Sequence, residues 1–435
     1  MKTISKNIIF KKIISFILIF SLAAGSALCT LSPVDVFAYK SDNPDFTGVD
    51  VSYWQGDVDW KKAASQIDFV ILRAGHSPYA DTLFDYNASQ CEKYHIPYGV
   101  YWYSTAKTKK QAKKEAKKVI KALKNYTPDL PVFWDVEDSS VIGKVSNSTM
   151  SKMAFAFCNT VAKAGYKAGV YSSSYYWHLY LKNFAKKDTK YYHWVAEYNS
   201  RYVNYGDSEA IAAGGKSWAS YASYQYYNIW QYSSQVNVSW TQSDGVDGDY
   251  WYGKLNLSKM KKVSAKGNTL KVKWKKASSA TAYEIYKKTG ADGEYSHIAT
   301  SSSDGVYVDN DVTSGNEYYY KVKIITGTGA TDITGEKGTV YLDTPELTKA
   351  KAKSGKKIKL KWGQSSGALG YEIQYSLKES FKKAKTVKIE GSLKTTLNKL
   401  KKNKTYYIRV RAFATTSKGR KAYSDWSEVK KVKVK

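Results

Sequence analysis

The chain has 435 residues, 68 Lys and Arg against 38 Asp and Glu for a formal charge of +30, 43% hydrophobic residues, five His and three Cys. That length exceeds one ordinary domain and predicts two or three with real cores. The cysteine count excludes a disulfide-stapled scaffold, and the scattered His and Cys show no metal spacing, so neither a metal site nor a cofactor is expected.

Residues 1–38 read as an export signal. Lys2, Lys6, Lys11 and Lys12 precede an apolar core from Ile13 to Leu28, and Val36-Phe37-Ala38 supplies the small-residue cleavage site. An uncleaved membrane anchor is the alternative, but the apolar stretch is shorter than the ~20 residues a span needs. Cys29 follows Leu28, too large for the small residue that precedes a lipid-modified cysteine. The remaining thiols, Cys91 and Cys158, are expected to pack in the core on helices.

Between residues 43 and 254, strand-like apolar runs alternate with helical patterns: Gly48 to Ser52, Ile67 to Ala74, Tyr98 to Tyr103, Val132 to Val136, Ala168 to Ser172, Tyr192 to Tyr198 and Asn228 to Tyr232. Repeated strand then helix predicts a parallel sheet, and this number of strands favours a closed α/β (β/α)-barrel over residues 39–255. The clearest helix is Lys107 to Tyr126, with Ala112, Ala116, Val119, Ile120 and Leu123 on one stripe. Its lysines form a solvated face, not a nucleic-acid site.

Within Pro131-Val132-Phe133-Trp134-Asp135-Val136-Glu137-Asp138, Asp135 and Glu137 stand two residues apart, which on a strand places them on one side. The apolar run around them argues against a solubilising role. Adjacent carboxylates repel, so one holds its proton above the usual range, as the acid that breaks a glycosidic bond must. In barrels such chemistry sits at the carboxyl ends of the strands.

Beyond Leu255 the helical pattern stops and an internal repeat begins. Leu270 to Trp274 recurs as Ile358 to Trp362, Tyr283-Glu284-Ile285 as Tyr371-Glu372-Ile373, and Tyr318 to Lys323 as Tyr406 to Arg411, every pair 88 residues apart. Period-2 alternation predicts two all-β sandwiches, 258–343 and 344–435. Residues 258–435 hold 39 Lys and Arg against 16 Asp and Glu, most of the charge of the chain. Outside a cell such a surface suits anionic wall polymers or headgroups, or it keeps strand faces soluble.

Four ordered segments resemble glycoside hydrolase family 25, the lysozymes: Asp50-Val51-Ser52-Tyr53-Trp54-Gln55-Gly56, Phe69 to Gly75, Gly99-Val100-Tyr101 and Asp135-Val136-Glu137, followed by Ile229-Trp230-Gln231-Tyr232 and Val246-Asp247. The resemblance implies a barrel muramidase that cuts the β-1,4 bond between N-acetylmuramic acid and N-acetylglucosamine in peptidoglycan, with Glu137, Asp135, Asp50 and Asp247 as site carboxylates. Glu137 is the general acid; Asp135 stays ionised and orients the substrate acetamide as internal nucleophile. The chain departs from the family pattern after Asp247, where an apolar residue and Asn are usual, and Asp244 to Asp249 also reads as a loop or a calcium site lacking the twelve-residue spacing.

Sugar faces stack on aromatic rings, which nominates Tyr101, Tyr171, Trp194 and Trp230 for substrate binding, with Gln231 bonding a hydroxyl. The repeats resemble fibronectin type III modules, with inner Trp274 and Trp362 and with Tyr318 and Tyr406 at the place of the tyrosine corner. The expected protein is a secreted or wall-associated monomer whose partner is peptidoglycan, tethered by its basic tail to anionic wall polymers, with no nucleic acid. A chitinase-type barrel is the enzymatic rival, and a retired barrel in a wall-binding, adhesive protein is the alternative of another class.

Overall fold

The computed structural model describes residues 44–198, 227–243, 245–302 and 305–435. The export signal of residues 1–38 lies outside them. No helix among the described residues is long and apolar enough to cross a membrane.

Eight strands close into a barrel. In chain order they are β1 (Phe46–Val51), β2 (Phe69–His76), β4 (Tyr98–Tyr103), β5 (Val132–Asp135), β6 (Ala168–Ser173), β7 (Tyr192–Ala196), β8 (Ile229–Val236) and β9 (Val246–Trp251), while a two-residue β3 (Tyr79–Ala80) folds back on β2. Neighbours from β1 through β8 run parallel. β9 runs antiparallel to both β8 and β1 and closes the ring. The strand-then-helix rule therefore holds for most of the barrel and lapses at its last strand, which returns from β8 by a short connection.

The apolar runs produce this because each strand is buried on both faces. On the outer face Val70, Leu72, Val100, Val132, Trp134, Val170 and Val195 meet the helices. Helix α3 (Lys109–Ala122) starts where Thr108 accepts a hydrogen bond from the Gln111 amide, and buries Ala112, Ala116 and Val119 as its stripe predicts. The stripe also contains Glu115, whose carboxylate accepts from Ser104 Oγ at 2.6 Å and Trp134 Nε1 at 3.1 Å. That acid ties the helix to the ends of β4 and β5. Cys91 and Cys158 are buried, without a disulfide, on helices Phe84–Lys93 and Asn147–Lys163.

Each half of the repeat has a three-stranded sheet facing a larger one, with the same pairing order in both halves. Side-chain bonds recur with the same spacing. Tyr318 Oη accepts from the Thr313 amide and Tyr406 Oη from the Lys401 amide; Tyr283 and Tyr371 accept likewise from Ala277 and Ser365.

The first sandwich continues the core of the barrel. Phe69, Ile71, Phe133, Trp194, Ile229 and Trp251 from the barrel interior pack in one cluster with Leu255, Leu257, Val272, Trp274 and Ile285. Around this apolar plug, the buried Asp129 carboxylate accepts from the amide and hydroxyl of both Ser278 and Ser279, at 2.6 to 3.1 Å. Lys167 Nζ donates to the carbonyls of Asp129, Leu255 and Asn256, and burial pulls its pKa down to about 8. Gly327 donates to the His95 carbonyl, and a Cβ at that glycine would run into the Tyr94 carbonyl oxygen. Asp129, His95 and Asp68, whose carbonyl accepts from Thr328 Oγ1 at 3.2 Å, precede β5, β4 and β2, so this seam lies at the amino ends of the parallel strands.

Candidate active site

At the opposite end, the last residues of β1 and β5 and the first of β9 bring carboxylates together. Asp50 sits directly across from Asp247 in the β1–β9 register. Because β9 is antiparallel, an acid near its start reaches the same rim as acids near the ends of the parallel strands. The stretch that also read as a loop or calcium site is thus the wall of the barrel; Asp244 lies outside the described residues.

Asp135 ends β5 and is buried, with Oδ1 lacking a hydrogen-bond partner among the described residues. Glu137 lies past the strand end, half-buried in the following loop rather than on the strand. That loop is held by Ser172 Oγ donating to the Val136 carbonyl at 2.7 Å and the Val136 amide donating to the Tyr171 carbonyl. Trp134 faces outward to Glu115, which leaves Asp135 facing the interior.

Burial dominates the electrostatics of every acid here. It is the first reason that the Glu137 carboxyl is pushed up to about 7, followed by the charges of Asp247 and Asp138 and opposed by a hydrogen bond from Tyr171. Asp135 is also held well above the usual range, by burial first and Glu137 second, against the pull of Arg73. The repulsion expected from sequence is present but secondary to desolvation. It acts on Asp135, whose raised carboxyl runs against the expectation of a permanently ionised group, whereas the anions that raise Glu137 are Asp247 and Asp138. Burial likewise raises Asp247, to about 6, and Asp50 and Asp249 well above their ordinary value.

A hydrogen-bonded chain links these groups. Tyr171 Oη and Tyr198 Oη donate to Gln231 Oε1 at 2.8 and 2.5 Å, and Gln231 Nε2 donates to Asp50 Oδ2 at 2.6 Å. Beneath it Trp194 Nε1 donates to Asp249 Oδ1 at 2.7 Å, with its ring 4.4 Å from Tyr171 and 5.9 Å from Tyr101. Tyr101, Tyr171 and Gln231 therefore gather at the acids. Trp194 is the buried floor under them rather than an open platform.

Trp230 is placed elsewhere. Adjacent strand residues face opposite ways, and with Gln231 pointing inward the Trp230 ring packs on Tyr232 and Tyr250, its Nε1 donating to the Glu197 carbonyl.

Four residues escaped sequence reasoning. Arg73 stands alone in an apolar strand, bonds Asp81 at 2.8 Å and is the cation that pulls on Asp135. Asp249 occupies the position where the family pattern has Asn. Tyr53 and Trp54 lie exposed on the turn after β1, their rings 4.5 Å apart, with Trp54 69% exposed. Ser52 builds that turn by accepting from the Trp54 amide, while Gln55 Oε1 receives the Ser52 amide.

Comparison with known proteins follows this geometry. Residues 49–240 match the family Glycosyl hydrolases family 25, and residues 343–430 match the Fibronectin type III domain. The chain is 25% identical over 217 residues to the uncharacterised protein YegX of Escherichia coli strain K12, covering 48% of this chain and 69% of that protein. Among solved structures it is similar to the modular autolysin LytC of Streptococcus pneumoniae, with 27% identity, TM-score 0.38 and 48% of this chain covered. This chain spans about half, 46%, of that autolysin. The spore cortex lytic enzyme SleM of Clostridium perfringens gives 18% identity and TM-score 0.42, over 71% of this chain and 99% of the other.

Proposed function

We propose that this chain, which carries a glycoside hydrolase family 25 domain and a fibronectin type III domain, is a secreted peptidoglycan hydrolase that cuts the β-1,4 bond between N-acetylmuramic acid and N-acetylglucosamine. In this reading residues 1–38 export the chain, residues 39–255 cut, and the sandwiches 258–343 and 344–435, both of fibronectin type III kind, hold the enzyme at the wall as a monomer. The observation that carries it is the Glu137 carboxyl, pushed up to about 7 by its own burial beside Asp135 at the barrel rim. A carboxylic acid still protonated near neutral pH is what the leaving glycosidic oxygen needs.

Glu137 gives its proton to the bridging oxygen as the C1–O bond breaks. Asp135, charged once the pair has one proton to give, accepts the N–H of the 2-acetamido group, and the acetamide carbonyl oxygen closes on C1. Water, deprotonated by Glu137, then opens that ring and returns the proton. Asp247 supplies negative potential opposite the developing positive charge of the sugar, and Asp50, bonded to Gln231, lines the site beside it. Tyr101, Tyr171 and Gln231 contact the reacting sugar, and the exposed Tyr53 and Trp54 stack on its neighbours along the glycan.

The test is Glu137→Gln in the full-length chain. Release of reducing sugar from purified peptidoglycan falls by about 10²–10⁴-fold, while sedimentation with walls is unchanged. Retained hydrolysis removes Glu137 from the mechanism; binding without hydrolysis by the unaltered protein supports an adhesive role instead. The full chain is required because a barrel cut at residue 255 would bare the apolar plug beneath it.

A further inference from the structure

We infer that the three-stranded sheet of the second sandwich is a docking face for a flexible phosphodiester polymer, a polyol phosphate chain of the bacterial wall. The choice of this polymer among polyanions rests on the wall-hydrolase reading above.

The face is built by register. Its strands are Lys349–Lys353, Lys357–Lys361 and Lys394–Leu397. Every outward position of the first two is lysine, and these stand directly opposite one another as Lys349 with Lys361, Lys351 with Lys359 and Lys353 with Lys357. Lys394 extends the first row as the partner of Lys361, and Thr396 faces Lys359. The inward positions Ile358, Leu360 and Leu397 lie in the core, so the alternation commits all these ammonium groups to solvent.

Like charges directly across a sheet destabilise it. A surface meant only for solubility mixes signs, and this one has no acid on any of its three strands. Elsewhere in this sandwich Glu372 pairs with Arg411 and Lys388, and Glu379 with Lys431, while the exposed Glu346 and Glu390 lie outside the three strands. The first sandwich, with the same pairing order, has Ser264, Thr269 and Val306 at three of the equivalent places, and its Lys266 is paired with Asp425. The fold therefore does not require the lattice.

The spacing selects the ligand. Neighbouring lysines lie ~4.8 Å apart across the strands and ~6.6 Å apart along them, so a supple chain with one phosphate per small repeat can lay successive charges on them. Lysine serves as a point charge for phosphate without fixed orientation. No aromatic side chain sits among these outward positions to stack a base, which disfavours single-stranded nucleic acid. The outward residues of the two lysine strands include no apolar group to enter a bilayer, which disfavours a lipid surface.

The experiment uses the full-length Glu137→Gln chain, so that walls stay intact, and purified poly(glycerol phosphate) as probe. Binding is measured by titration calorimetry at two salt concentrations. The parent binds and weakens at least tenfold from low to high salt, as counterion release requires. The triple variant Lys351→Gln, Lys359→Gln, Lys361→Gln loses at least tenfold in affinity at low salt with a flatter salt dependence, and the corresponding Arg triple keeps the binding. Gln-triple binding equal to the parent overturns the inference, as does parental preference for single-stranded DNA or anionic vesicles over the polymer. Hydrolysis of walls stripped of polyol phosphate by the unaltered chain is read separately. Its absence would count against the hydrolase and not against this surface.

Discussion

Asp247 and Asp50 are register partners although one is the second residue of its strand and the other the fifth of six. The antiparallel closing strand brings them together from opposite chain directions, and it sets the charge that Glu137 feels from across the rim. Replacing Asp247 with Asn removes a negative neighbour, so the Glu137 carboxyl becomes more acidic. The alkaline limb of the pH profile of kcat/KM, placed near 7 by Glu137, should move to lower pH by up to about one unit. An unmoved limb in Asp247→Asn would mean that the two groups do not communicate.

Glu137 also couples stability to pH. Its folded pKa lies above the ordinary value of 4.5, at about 7, so its stabilising share is full below about pH 4 and is lost as the pH rises through 7. Glu137→Gln does not titrate. Urea unfolding at pH 5 and pH 8 should show the variant gaining on the parent at the higher pH by on the order of 2 kcal/mol.

Asp249 is fully buried, and its Oδ2 has no hydrogen-bond partner among the described residues. Burial, with the charge of Asp247 added, holds its carboxyl well above the ordinary range, and a carboxylic acid and an amide are close in shape. Asp249→Asn should therefore keep most activity and the Trp194 bond, and should hold activity to higher pH. Asp249→Leu should lose both fold stability and activity. A dead but folded Asn variant would show that the ionised form is the one required.

Asp129→Ala leaves the four donors of Ser278 and Ser279 without their acceptor in a buried seam. The expected cost is about 2–4 kcal/mol, visible in thermal unfolding, with kcat unaffected at low temperature because the acids lie at the far end of the barrel.

Trp54→Ala strips an exposed ring that touches none of the acids. KM for long glycans should rise several-fold with kcat nearly unchanged, and short soluble substrates should show no effect.

The strands that read clearly in the sequence, such as Phe69 to Ala74 and Val132 to Val136, did so because burial on both faces leaves an apolar run that no loop carries. The repeat was equally legible, since identical inward tyrosines are needed in both sandwiches. β9 was not, because Asp-Gly-Asp carries no strand propensity and is tolerated only by the barrel interior around it. The raised Glu137 carboxyl was legible while its cause was not: the number of groups that cover a carboxyl from water is a property of the folded chain. Trp230 misled for a simpler reason. Gln231 and Trp230 cannot both face inward, and the sequence states their alternation without saying which is inside.

The plug beneath the barrel has a mechanical consequence. With the first sandwich seated on the amino ends of the strands by Asp129, Lys167 and a continuous apolar core, it stands at the end of the barrel away from the acids. In the proposed reading, a glycan bound at the acids does not meet that sandwich. Attachment through the tail then fixes the direction in which the open mouth points, as a handle fixes the edge of a blade.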